Sequence, residues 1–371
     1  MNLTAALEPW IDIIHRQVPD LELFDAHTHL GENDPDGFHQ SPDELLSMLR
    51  NARARGCFVF PMHEPDGYTR ANDMVVSVAQ DAGGLLIPFC RVNPHDHALL
   101  EAERALEAGA RGIKLHPRAE RFTLDHPAVH SLFALADERS LPVLIHAGRG
   151  IPALGIHAAA YAREFPNARV ILAHAGVSDL AWIWQAAADL PNLLFDSAWW
   201  IAADLRTLFT LMPPGQIVFA SDAPYGHTLA SAAAQFRFAL QAGLSADQIR
   251  LIASGQSLRI AAREPLERAG PAVGEHQRPT HVLLDRVAEL IQLSSIQWIR
   301  GEDGAEMLSL ARLACEVPDE IDDAPVFAAI RELLSAFDRA TIEDPDDRRR
   351  VTFLMMATAA ARTPDVPVPR Y

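Results

Sequence analysis

Short apolar runs alternate with stretches of helical spacing along the first two-thirds of the chain. The runs are LELFDAH (Leu21–His27), CFVFPMH (Cys57–His63), LLIPFCRVN (Leu85–Asn93) and GIKLH (Gly112–His116). Four more follow: PVLIHAG (Pro142–Gly148), RVILAHAG (Arg169–Gly176), NLLFDSA (Asn192–Ala198) and QIVFASD (Gln216–Asp222). Each is almost continuously apolar instead of alternating apolar with polar. That texture predicts parallel strands covered by helices on both faces. Between the runs, SPDELLSMLRNARARG offers Ser41 as N-cap, Pro42 at the first helical position and Glu44 after it. The stretch HALLEAERALEAGA stops at Gly109. Eight such units over residues 21–264 predict an α/β fold, a (β/α)8 TIM barrel. An open doubly wound sheet is the competing arrangement, but the chain has no glycine-rich nucleotide fingerprint to support it.

The texture changes on either side of those units. Residues 1–20 read as an N-terminal helix. Residues 265–280, PLERAGPAVGEHQRPT, have no period and read as a linker. Helical spacing returns over 281–371, in segments such as HVLLDRVAELIQLSSIQWI and RRRVTFLMMATAAAR, with no chemical motif. This all-helical C-terminal appendage has apolar faces that need cover, from the barrel or from a second copy of the chain in a homo-oligomer.

Composition narrows the function. With 49% hydrophobic and 22% charged residues the chain reads as globular. Its net charge of −17 argues against nucleic acid and anionic membranes as partners and leaves a small molecule as the expected substrate. No apolar run reaches the roughly 18–20 residues of a membrane span. The first residues lack the basic start and small-residue cleavage site of a secretory signal. Three cysteines make no disulfide framework, and Cys57 and Cys90 sit in apolar runs as buried thiols. A cytoplasmic protein is the expectation.

The chemistry gathers at the ends of the predicted strands, the rim where a barrel carries its active site. The first run ends His27-Thr28-His29, and side chains two apart on a strand share a face. The fourth ends Lys114-Leu115-His116. The fifth reaches His146, the sixth His174 and the eighth Asp222. One such histidine is a weak signal. Four histidines and an aspartate at matching places converge in a barrel, and neutral imidazole with carboxylate suits zinc or a similar divalent ion. His63, Arg91, Asn93, His116, Arg149, Trp199, Trp200, Tyr225 and His227 stand at the same rim or in the loops after it. From these His63, Arg91, His116, Arg149, Trp199 and Tyr225 are the candidate substrate-binding residues. Arg91 and Arg149 suit a carboxylate through paired hydrogen bonds, and the tryptophans suit a flat apolar ring.

DAHTHLG, IKLHP, PVLIHAG, VILAHAG and FASDAPYG together resemble the amidohydrolase superfamily, in its amidohydrolase-2 branch of metal-dependent TIM-barrel enzymes, over residues 21–263. The branch's strand-seven DxS pattern is met by Asp196-Ser197-Ala198, while its usual GxNA reads Gly255-Gln256-Ser257 here. The resemblance implies His27 and His29 as metal ligands, with His146 and His174 as ligand or catalytic histidines. It implies Asp222 as ligand and general base. One ion is expected in preference to two, zinc first and manganese second. The activity implied is hydrolysis of an amide, ester or lactone, with non-oxidative decarboxylation of an unsaturated or aromatic acid as the rival. A silent barrel whose appendage binds a partner is the remaining alternative, and the intact ligand set speaks against it.

Lys114 is the one lysine among 32 basic residues. In some binuclear relatives a strand-four lysine carries a carbamate that bridges two metals, which arginine cannot do. The other functional reading is an ammonium that pairs with Asp222 or with a substrate carboxylate. Codon bias is the account in which the position means nothing.

Overall fold

The computed structural model describes residues 3–148, 151–274, 281–300, 302, 304–318, 320–343 and 350–369. Helix α1 (Leu3–Gln17) comes first, followed by β1 (Phe24–Leu30), α2 (Pro42–Asn51), β2 (Gly56–Pro61) and α3 (Thr69–Asp81). Then come β3 (Leu86–Arg91), α4 (Ala98–Ala108), β4 (Gly112–Leu115), α5 (Pro127–Arg139), β5 (Pro142–Ile145) and α6 (Leu154–Glu164). The alternation ends with β6 (Arg169–Leu172), α7 (Leu180–Ala187), β7 (Leu193–Asp196), α8 (Ala202–Leu211), β8 (Ile217–Val218) and α9 (Thr228–Ala242). All eight strands pair in parallel in chain order. Ala26 N donates to Phe219 O at 2.9 Å and His29 N to Ala223 O at 2.8 Å, bringing the two ends of the sheet together. The result is a nearly closed TIM barrel.

Local chemistry sets the helix ends. Ser41 caps α2 in a reciprocal box with Glu44, and Pro42 opens the first turn. Gly109 ends α4 at φ 131, a conformation that strains any residue with a Cβ. Alternation along the strands then separates two cores. Phe24, Phe58, Phe89, Leu144, Ile171 and Val218 fill the barrel interior. Ile113, Val143, Val170, Leu193 and Phe195 join the layer beneath the helices.

One irregularity aims the site. Asp25 pairs with Cys57 and Thr28 with Val59, so Ala26 and His27 together stand opposite Phe58. This bulge shifts the phase of β1. Phe24 and Ala26 face the barrel interior, and beyond the bulge His27 and His29 face it too, each ring within 5.1 Å of Phe60.

The expected linker keeps no regular structure over 265–274, and its residues 275–280 lie outside the described part. Two short helices, α10 (Ala246–Arg250) and α11 (Gln256–Ala262), precede it. The appendage holds α12 (Val282–Ile299), α13 (Ala305–Ala314), α14 (Ala324–Glu343) and α15 (Val351–Arg362), and α15 packs on α9 and α8 of the barrel. Arg237 of α9 fastens this contact. It is 1% exposed and donates to Thr363 Oγ1 (2.9 Å) and to the carbonyls of Thr363 (3.0 Å), Val366 (3.0 Å) and Pro367 (2.6 Å). Its guanidinium lies 5.2 Å over the ring of Trp10 in α1. The charge therefore meets the carbonyl end of α15, where a cation is favoured, although burial pulls its pKa down to about 9. Arg237→Ala would strand those buried carbonyls. We expect a loss on the order of 3 kcal/mol, read as a thermal midpoint lower by at least about 3 °C with metal content unchanged. A midpoint equal to that of the wild type would mean the tail is held elsewhere.

Candidate metal centre

The strands end sooner than the apolar runs. His146 directly follows β5, His174 lies two residues past β6, and Asp222 lies four past β8. Freed from the ladder, His174 adopts φ 56 and Asp222 φ 61, both in the left-handed region. Histidine and aspartate enter it more readily than most residues, and such conformations gather at functional sites. Both side chains thereby turn over the mouth of the barrel. His27 Nε2 lies 3.2 Å from His29 Nε2 and 3.0 Å from Asp222 Oδ1, and His29 Nε2 lies 3.1 Å from the same oxygen. His27, His174 and Asp222 bring ligand atoms within 4.8 Å of one another. His146 stands one imidazole farther out, its Nδ1 2.9 Å from His174 Nε2.

Hydrogen bonds settle which nitrogens carry lone pairs. Asp196, wholly buried at the end of β7, takes His27 Nδ1–H at 2.7 Å and leaves His27 Nε2 as the acceptor. The Asp196 carboxylate is itself held by His174 N (2.8 Å) and Ala198 N (3.0 Å). This is the arrangement that orients and strengthens a metal-binding imidazole. The Ala198 carbonyl only accepts, so His174 Nδ1 donates to it at 2.7 Å and Nε2 holds the lone pair. His146 Nδ1 lies against that lone pair, and His146 Nε2 is buried without a partner.

The electrostatics suit a cation. Burial depresses His29 to about 3 and also lowers His174 and His146, so these rings are neutral, as ligands must be. Burial and Lys114 both push His27 down, but Asp222 and Asp196 outweigh them and its pKa is raised. Burial favours the neutral acid at Asp222. The facing His27 and His174 overcome that and hold it well below the usual carboxylate range. Crowded lone pairs, an ionised carboxylate and an orphaned imidazole nitrogen fit a divalent ion of the kind that takes nitrogen and oxygen ligands.

Lys114 faces the same interior. It is fully buried, with Nζ 3.2 Å from His27 Nε2 and 4.5 Å from the Phe60 ring centre. Burial lowers its pKa to about 7. A protonated Nζ would claim the His27 lone pair that a metal needs, so ion and ammonium compete for one point.

The remaining candidates divide. Trp199 lies 5.8 Å from His174 and 6.1 Å from Trp200, and its Nε1 donates to Asp204 at 2.6 Å. Tyr225 sets its edge 5.5 Å from His29 and gives its hydroxyl to Asp34 in the loop after β1. His116 stacks on His146 at 3.9 Å. Arg91 does not present a free charge. It pairs with Glu120 at 2.7 Å, each side chain 2% exposed, and His63 Nδ1 is 3.9 Å from the same carboxylate. Arg149 lies outside the described residues. Asp196 enters the sequence reading only within the strand-seven DxS pattern, and Glu120 does not enter it. Asp196 stood at a strand end like the others and was open to the same rule. Nothing local marks Glu120, since its partner is 29 residues away.

Comparisons with known proteins meet this geometry. The family model Amidohydro_2, described as amidohydrolase, matches residues 24–260. The chain resembles the structure of 5-carboxyvanillate decarboxylase LigW from Sphingomonas paucimobilis, at 16% identity and a TM-score of 0.51, over 66% of this chain and 99% of that one. An uncharacterized TIM-barrel protein from Bordetella bronchiseptica is similar at 16% identity and a TM-score of 0.54, over 66% and 99%. A 2,6-dihydroxybenzoate decarboxylase complexed with 2,6-dihydroxybenzoate is similar at 12% identity and a TM-score of 0.52, over 65% and 99%. At these identities the likeness shows a shared fold. No curated protein matches the chain.

Proposed function

The chain belongs to the amidohydrolase family, and from that premise we propose a metal-dependent hydrolase that opens a C–N or C–O acyl bond of a small molecule. One observation carries the reading: His27, His174 and the ionised Asp222 bring ligand atoms within 4.8 Å of one another at the barrel mouth, and His29 Nε2 lies 3.1 Å from Asp222 Oδ1. His27, His29, His174 and Asp222 would hold the ion, with His146 behind His174. A divalent ion bound there supplies Lewis acidity and lowers the pKa of a coordinated water from about 16 to about 7.

The chain's own groups do the rest. Asp222 Oδ1 is engaged by two imidazoles, whereas Oδ2 lies 4.0 Å from His174 Nδ1 and is the freer oxygen. The side chain keeps 20% exposure, so a reactant reaches it. Oδ2 takes the proton of the attacking water and returns it to the departing nitrogen or oxygen. Asp196 keeps His27 in one tautomer throughout.

A second reading is decarboxylation of an unsaturated or aromatic acid. The flat ring of Trp199 beside His174 favours it, and two of the similar structures are decarboxylases of aromatic acids. A screen of lactones, amides and aromatic acids against the metal-loaded protein separates the two. Release of acid from a lactone or amide supports hydrolysis, and release of CO2 from an aromatic acid replaces it with decarboxylation. A protein purified without metal, and inactive on all three classes when metal is supplied, would end both.

Lys114 enters either reading as a site residue. Lys114→Met removes the amine at similar volume and leaves the Phe60 contact in place. We expect one metal per wild-type chain, retained in the variant, and activity down by at least about tenfold through weaker substrate binding. Two metals per wild-type chain, one of them lost in the variant, would instead identify a carboxylated bridging lysine. Activity equal to wild type would leave the residue without a role.

A further inference from the structure

An open cleft of about 830 Å3 lies against the connection between β4 and α5. Arg118 and Arg121 of that connection line it, with His95 after β3, His126 at the start of α5, and the apolar Pro117 and Phe122. No carboxylate lines the cleft among the described residues. Asp96 and Asp125, beside His95 and His126 in sequence, are not in its wall, and Asp125 takes the hydroxyl of Thr123. Among the described residues neither guanidinium, of Arg118 or of Arg121, has a hydrogen-bond or ion-pair partner. In a chain of net charge −17, arginines such as Arg55, Arg104 and Arg362 each face a carboxylate. Two unpaired ones beside two imidazoles form a positive patch against the overall charge.

The cleft is also built in advance. Glu120, between the two arginines, turns inward and is fixed by Arg91 at 2.7 Å and by the Tyr68 hydroxyl at 2.5 Å. Glu120 N donates to His116 O at 3.1 Å and Phe122 N to Pro117 O at 3.0 Å, folding the connection back on itself. Arg121 holds φ 54, a conformation that persists only when its surroundings impose it. With Glu120 anchored inside, Arg118 and Arg121 stand exposed on either side of it. Pro117 of the cleft wall directly follows His116, which stacks on His146 of the candidate metal centre.

We infer that this cleft binds the acidic end of a small multiply charged substrate, a phosphate ester or a polycarboxylate. Paired guanidinium hydrogen bonds hold that end while the reacting bond reaches the barrel mouth. The inference rests on the reading of the metal centre as catalytic. Its test does not use turnover. Inorganic phosphate and propane-1,2,3-tricarboxylate are titrated calorimetrically into the metal-loaded wild type, into metal-loaded R118Q/R121Q, and into H27A/H29A as purified. We expect at least one of the two anions to bind the wild type, and affinity to fall by at least about tenfold in the arginine variant. Affinity should stay within about twofold in the variant lacking the metal ligands, and the tighter anion identifies the source of the charge. No binding of either anion, affinity unchanged by the arginine changes, or affinity lost with the metal ligands would each overturn the inference. Both arginines are exposed, so that arm is informative whether or not the metal-site variant folds. Failure of the metal centre as a catalyst would appear separately, as an inactive metal-loaded protein that still binds the anion.

Discussion

A His27→Ala/His29→Ala variant is expected to fold and to lose its metal. The two imidazoles contribute nitrogens 3.2 Å apart, both within 3.1 Å of Asp222 Oδ1. Removing both leaves Asp222 and His174 as the remaining ligands, too few to hold a divalent cation against water. The fold should survive, because the barrel interior is carried by Phe24, Phe58, Phe89 and their neighbours below the rim. Asp196 also keeps its two backbone donors, His174 N and Ala198 N, when His27 is gone. Elemental analysis should show the metal-to-chain ratio down by more than about tenfold, with an unchanged far-ultraviolet dichroism spectrum. Full metal content in the folded variant would move the centre elsewhere.

Asp222→Asn should cut turnover by roughly 10²-fold or more while the protein stays folded. Asparagine keeps the shape and tolerates left-handed backbone at least as well as aspartate, so φ 61 is no obstacle. What disappears is the negative charge, which His27 and His174 keep ionised through the neutral range, and with it the proton acceptor. The measurement is kcat on whichever substrate class the screen returns, alongside metal content. A near-normal rate would remove Asp222 from the proton path. A lost rate together with lost metal would make it a ligand first.

Much of this was open to inspection in the chain itself. The alternation of apolar run and helical stretch is a local property, and it named eight strands that the barrel contains in the same order. The polar residues at the ends of those runs are also local, and His27, His29, Lys114, His174 and Asp222 do meet at one mouth. Where each run would leave the ladder was not legible. The eighth extends to Asp222 in sequence, yet β8 stops at Val218, because Asp222 gains its contacts by turning out of the strand.

Partnership is where local pattern fails. Arg91 reads as a free guanidinium at a strand end, but Glu120 arrives from the next connection and neutralises it. No local pattern marks Arg118 and Arg121, and only the inward turn of Glu120 leaves them flanking one cleft. The bulge at Ala26 and His27 is invisible in the run LELFDAH, since it is defined by which residues of β2 stand opposite. By itself the sequence determined the periodicity, the position of each polar group along its own strand and the singular lysine. The tertiary structure decided which of those groups face one another, because charge neutralisation, tautomer and side-chain aim depend on neighbours distant in the chain, as with His29 and Asp222, 193 residues apart.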